Sequence, residues 1–224
     1  MSAKSGGSKG AGAKAAAAKG IKSFPAGAAS DLINIGAMVA QATEVKQATE
    51  LARKLKPNGP AILGVAQKWY AASERIGGSS RVLNSAYKGL DIYWDGDAFD
   101  AFSSLMGDVT DVASRNSDVL FDIGNNVVDL YNTAAQSYNE AVLAIGETLQ
   151  KVAPLDPDKQ DEEVLHTLTT FVADMKTRKQ NLENDLSVKQ GKIVQLHGQI
   201  LRIQAPDDVP SGVTDKRKWK FSPR

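Results

Sequence analysis

The sequence predicts an all-α protein: an antiparallel helical hairpin with a Trp-x-Gly turn, plus an additional N-terminal helix and a long C-terminal helix of coiled-coil or bundle character. Three observations predict it. Apolar residues recur at spacings of three, four and seven through most of the chain, the period of an amphipathic helix. Hydrophobic residues make up 42%, yet Phe, Trp and Tyr contribute only 6%, a mixture suited to slender helices packed through small and aliphatic side chains. Finally, the segment YWDGDAF (residues 93–99) separates two long periodic runs. Neither run crosses it in register, so the chain is expected to reverse there.

Residues 1–24 carry Lys4, Lys9, Lys14, Lys19 and Lys22 with no acid and almost no large apolar side chain. Such a segment buries too little surface to offset its ordering entropy, which predicts a disordered basic arm. Residues 25–56 form the N-terminal helix, capped by Ser30 or Asp31 and running to about Leu55. Arg53, Lys54 and Lys56 precede Pro57, so basic charge meets the negative helix end and proline stops continuation.

The hairpin is expected over 60–152. Pro60 presets the first turn, and Ile62, Val65, Trp69, Ala72, Ile76, Leu83 and Leu90 form one stripe. Gly77-Gly78 is expected to bend this helix without ending it, because the stripe resumes in phase. After the break, Phe102, Leu105, Val109, Val112, Val119, Ile123, Leu130, Ala134, Tyr138, Ala141, Ile145 and Val152 continue the pattern. The predicted hairpin seam therefore includes Trp69, Leu83 and Leu90 on one side and Phe102, Leu105 and Val112 on the other. Asn116 falls on a seam position, either as a tolerated polar residue or as one that sets register.

Within the turn, Gly96 supplies a backbone conformation that strains any residue with a Cβ. Asp97 is expected to cap the outgoing helix, with Asp100 three residues on. Trp94 then sits at the bend, large enough to cover the hairpin end or to fill a groove on another molecule.

The last helix is expected over 156–204, with Asp156 as cap, Pro157 as first residue and Asp158, Asp161, Glu162 and Glu163 at its positive end. Val164, Leu168, Phe171 and Met175 set its seam, which resumes after Leu182 as Leu186, Ile193, Leu196, Ile200 and Ile203; the steps from Arg178 to Leu182 to Leu186 mark a stutter. Residues 205–224 read as a basic flexible tail.

Charge and chemistry narrow the function. The formal charge of +1 conceals a body with 17 basic and 25 acidic residues between two basic ends. Nucleic acid or an anionic membrane is therefore a partner for the arms alone. The absence of cysteine removes thiol catalysis, disulfides and thiolate metal sites. No run reaches the roughly 20 apolar residues of a membrane-spanning helix; LINIGAMVA (32–40) behind the lysine-rich start is a poor secretory signal, since Asp31 abuts it and Asn34 interrupts it. His166 beside Asp161, Glu162 and Glu163 reads as an acidic helix start rather than a metal site. There is no phosphate-binding glycine loop and no nucleophile elbow. No enzyme activity, no cofactor and no small-molecule substrate are expected.

Pro60, Ala66-x-x-Trp69, the Leu83 and Leu90 spacing, Trp94-x-Gly96-x-Ala98 and Ala101-Phe102 resemble the small Trp-x-Gly (WXG, or Esx-like) substrates of type VII secretion systems, over roughly residues 60–152. The resemblance implies a four-helix bundle made of two hairpins, the partner being a second copy or a related small helical protein. It also implies Sec-independent export from the cytoplasm by a membrane ATPase complex, with Trp94 and Gly96 forming the recognition turn. The family's Tyr-x-x-x-Asp/Glu signal is displaced: Tyr138 is followed at that spacing by Val142, and the fits are Tyr87 to Asp91 and Tyr93 to Asp97. Two other classes remain: a helical membrane-acting toxin, and a cytoplasmic coiled-coil scaffold whose basic arms hold nucleic acid.

Overall fold

The computed structural model describes residues 16–90, 93–201, 217 and 220–221. Within them lie five helices: α1 (Ala26–Met38), α2 (Ala42–Lys54), α3 (Gly59–Lys88), α4 (Asp97–Val152) and α5 (Asp161–Gly198). Two short strands, β1 (Trp94–Asp95) and β2 (Lys220–Phe221), pair antiparallel, Trp94 opposite Phe221 and Asp95 opposite Lys220. The chain divides into two compact units. One holds Val65–Asn125 and the described residues from Ile193 onward; the other holds Ala16–Gly64 and Asn126–Lys192.

The second of these units contains the largest apolar core. Leu32 of α1, Val45 of α2, Ile145 and Val152 of α4, and Val164, Leu168 and Met175 of α5 are almost completely excluded from solvent and belong to one cluster. Val164, Leu168, Phe171 and Met175 of the expected α5 seam lie inside, as does Leu182, while its continuation at Leu186, Ile193 and Leu196 is only half-buried. Phe24 packs on the edge of the core with the Arg53 guanidinium 4.7 Å above its ring, a cation-π contact.

The single N-terminal helix expected over 25–56 is two helices. Ala40 adopts φ 55°, and the Gln41 N–H donates to the Gly36 carbonyl at 2.6 Å. That six-residue closure around a left-handed residue is the Schellman end of a helix, with alanine where glycine is favoured. The chain turns at once into α2, whose Val45 packs where a Cβ on Gly36 would be, 3.2 Å away. A periodic apolar pattern cannot show such a break, because both helices bury residues on the period of one. Neither Ser30 nor Asp31 caps: α1 starts at Ala26 after Pro25.

The last helix also begins later than its acidic start suggested. Asp156 closes a separate turn, accepting from the Lys159 and Gln160 N–H groups through its carbonyl and from the Asp158 N–H through its carboxylate. Gln160 provides the first helical carbonyl, bonded by the Val164 N–H at 3.1 Å. α5 ends at Gly198, six residues before the expected limit of 204.

The other unit is built differently. Ser73 Oγ donates to the Ser117 carbonyl at 2.7 Å, Ser117 Oγ returns a bond to the Ser73 carbonyl at 2.9 Å, and Ser80 Oγ donates to the Thr110 carbonyl at 3.0 Å. As residue numbers rise along α3, their partners fall along α4, so the two helices run antiparallel here. They approach closely: a Cβ on Gly77 would lie 2.8 Å from Ser117 Oγ, and one on Gly124 would lie 2.5 Å from the Tyr70 ring. Gly77 serves close packing, and α3 continues through Gly77-Gly78 as one helix, which that pair was expected not to end.

Candidate protein-interaction site

Between α3 and α4 the chain turns through residues 89–96, of which 91 and 92 lie outside the described residues. The Leu90 carbonyl accepts from both the Tyr93 and Trp94 N–H groups at 3.0 Å. Trp94 is half-buried, and its strand pairing uses the backbone. Gly96 has φ 89°, and its carbonyl accepts the Asp100 N–H at 3.0 Å. Gly96 is thus the residue whose carbonyl opens α4, in the left-handed region that glycine enters without strain.

It follows that Asp97 is the first residue of α4 rather than its cap. Asp97 and Asp100 both fall in the first turn, where carboxylates are favoured by the positive helix end. Ala98 and Phe99 behind them are buried, and the Phe99 and Phe102 rings lie 6.5 Å apart. Residues 205–224 were expected to be a flexible tail, yet Lys220 and Phe221 form a strand on β1.

The predicted seam is placed otherwise than the sequence reading had it. On α3 the buried residues are Gly59, Ala66, Ser73, Gly77 and Ser80; Trp69 is half-buried, and Leu83 and, just past the helix end, Leu90 are 41% and 38% exposed. On α4, Phe102, Leu105 and Val112 are half-buried, while Thr110, Ala113, Asn116 and Ser117 are buried. The physical reason is distance. Helices this close admit hydroxyls bonded to facing carbonyls and residues without side chains, and they exclude a row of large apolar groups. The α3 stripe of Val65, Trp69, Ile76, Leu83 and Leu90 is left partly or largely in solvent.

Tyr87 is half-buried near the end of α3, and its proposed partner Asp91 lies outside the described residues. His166 lines an open groove of about 290 Å³ together with Glu147, Lys151, Asp174 and Arg178. Arg178 bonds Asp174 across its wall at 2.7 Å and reaches Glu140 beyond it at 3.0 Å. Among the described residues no group of three His, Cys, Asp or Glu could hold a metal ion, and no helix is long and apolar enough to cross a membrane.

Two arrangements escaped the sequence reading. Residues 16–24, assigned to a disordered arm, are a non-helical segment hydrogen-bonded to α4 through Tyr131, Asn132 and Asn139. The rest of that arm lies outside the described residues. The second is the Tyr70 contact with α4: its hydroxyl donates to Asn125 Oδ1 at 2.8 Å and its ring stands 5.3 Å from that of Phe121. The one sequence signal for either is the heptad spacing of Asn125, Asn132 and Asn139.

These features define a helical protein whose recognisable surfaces are apolar and main-chain ones. Comparisons with protein-family models, with curated proteins and with solved structures give no match to this chain.

Proposed function

We propose that this protein is a non-enzymatic helical interaction protein, a WXG-like (Esx-like) substrate or partner of a type VII-like secretion system. In this reading it acts by bundling with a second hairpin and by recognition of its Trp-x-Gly end. The observation that carries it is Gly96 at φ 89°, opening α4 two residues after Trp94 and joining two long helices. The antiparallel Ser73–Ser117 and Ser80–Thr110 pairs support a hairpin. The stripe of Val65, Trp69, Ile76, Leu83 and Leu90, too large for the seam within the chain, supports helix docking from a second molecule, either another copy or a related small helical protein. Made in the cytoplasm, the protein is exported by a Sec-independent route through the system's ATPase complex.

The test is fractionation of the native host with and without that ATPase, with mass spectrometry of what co-purifies. Accumulation outside the cell that depends on the ATPase, together with a small helical partner, supports the reading. Unchanged distribution and no such partner reject it.

A further inference from the structure

Two asparagines one heptad apart on α4 hold the main chain of residues 17–22. Asn132 accepts the Lys19 N–H at 2.7 Å and donates its amide to the Ala17 carbonyl at 2.9 Å. Asn139 repeats the arrangement three residues further along the segment, accepting the Lys22 N–H at 2.8 Å and donating to the Gly20 carbonyl at 2.9 Å. The Tyr131 hydroxyl donates to the Lys19 carbonyl at 2.8 Å. All five of these bonds end on backbone atoms of the segment; one further bond, from Lys19 Nζ to Gln136 Oε1 at 2.7 Å, uses a side chain and is exposed.

The repeat has a geometric basis. Seven residues of α-helix rise about 10.5 Å, and three residues of chain reach at most about 10–11 Å when fully stretched. A heptad of asparagines therefore matches a triplet of an extended peptide and no more compact form of it. A helix or turn would bring the second pair of backbone groups several ångströms short of Asn139.

The grip is also weak enough to release. Of residues 17–22 only Ile21 is half-buried and the other five are exposed, so the segment buries little apolar surface and water competes for each bond. The net gain from one such bond is smaller than the entropy lost by fixing a residue's backbone.

We infer that the α4 face formed by Tyr131, Asn132 and Asn139 is a sequence-tolerant binding site for the main chain of an extended peptide, and that the chain's own residues 17–22 occupy it as a displaceable latch. The ligand it takes in place of the latch is the same segment of a second copy, since identical backbone groups make identical bonds. The inference stands apart from the secretion reading, and neither depends on the other.

The test is amide hydrogen exchange by NMR on the full chain. Lys19 and Lys22 amides should exchange at least tenfold more slowly than in a free peptide of residues 16–24. Asn132→Ala should release Lys19 and Asn139→Ala should release Lys22, with the Ile145 amide unchanged as proof of folding. Lys19→Ala and Lys22→Ala should leave the protection at their own positions intact. At millimolar concentration, comparable to the effective concentration of a tethered segment, the 16–24 peptide should displace about half of the latches and lower the protection of both amides to about twofold. The same peptide N-methylated at its Lys19 and Lys22 nitrogens should not. Unprotected amides in the parent chain, protection indifferent to the asparagines, no competition by the peptide, or equal competition by the N-methylated form would each overturn the inference.

Discussion

Asn116 and Leu201 are joined through both ends of one amide: Asn116 Nδ2 donates to the Leu201 carbonyl at 2.7 Å, and the Leu201 N–H donates to Asn116 Oδ1 at 2.8 Å. Asn116 is buried within α4, and Leu201 follows the end of α5. Neither sequence reading of Asn116, a tolerated polar residue or a register-setting one, describes this. The side chain acts as a clamp on the backbone of a distant segment. Asn116→Ala should cost about 1–3 kcal/mol, two bonds at roughly 0.5–1.5 kcal/mol each. Denaturant unfolding measures the cost, and faster exchange of the Leu201 amide locates it.

Ala40 pays for its place between α1 and α2 with a left-handed backbone. Glycine there relieves about 1–2 kcal/mol of Cβ strain and returns about 0.4–1 kcal/mol through a freer unfolded chain. Ala40→Gly should therefore raise stability by about 0.5–1 kcal/mol, read as a higher urea midpoint at unchanged slope.

Gly124 and Tyr70 make a steric pair. A Cβ at Gly124 would meet the Tyr70 ring at 2.5 Å, so Gly124→Ala should destabilise by about 1–3 kcal/mol through overpacking. In a Tyr70→Ala background the same change should be neutral or favourable, because alanine is the better helix former by about 1 kcal/mol. A double-mutant cycle by chemical denaturation checks this; equal costs in both backgrounds would refute the packing argument.

Tyr138 is fully buried, and its hydroxyl has no hydrogen-bond partner among the described residues. Burial raises its pKa above the usual 10.0, against a smaller opposing effect of the Arg53 charge. The folded state therefore holds this proton more tightly than the unfolded one, so stability is full below pH 10 and declines as pH rises beyond it. Tyr138→Phe should cost nothing or stabilise by up to about 1 kcal/mol at neutral pH, and should flatten the alkaline decline measured by thermal melts.

At the turn, Gly96→Val should cost more than Asp97→Ala. The first forces a β-branched residue into φ 89°, a strain of at least about 1–2 kcal/mol. The second removes one first-turn carboxylate, worth about 0.3–1 kcal/mol. Trp94→Ala should reduce partner binding or export more than helix content, compared by circular dichroism and by pull-down; wholesale melting would place the indole in the core instead.

Local pattern carried far. The 3.6-residue period marked every long helix, and the α5 seam residues Val164, Leu168, Phe171 and Met175 are buried. Each depends on interactions within a few turns of chain. The boundaries failed where turns compete with caps: Asp156-Pro157 closes a turn of its own, and Ala40 breaks what reads as one continuous helix.

By itself, then, the sequence determined the helical class and the apolar faces available for burial. Only the tertiary structure decided which of those faces is used. Interhelix distance is not written in periodicity. Ser73, Gly77, Ser117 and Gly124 let α3 and α4 approach so closely that hydroxyls and bare backbone fill the contact, leaving the larger stripe of α3 on the outside. The asparagines follow the same logic. Whether an amide faces water or grips a backbone depends on which distant segment lies against it, and that is settled by the path of the whole chain.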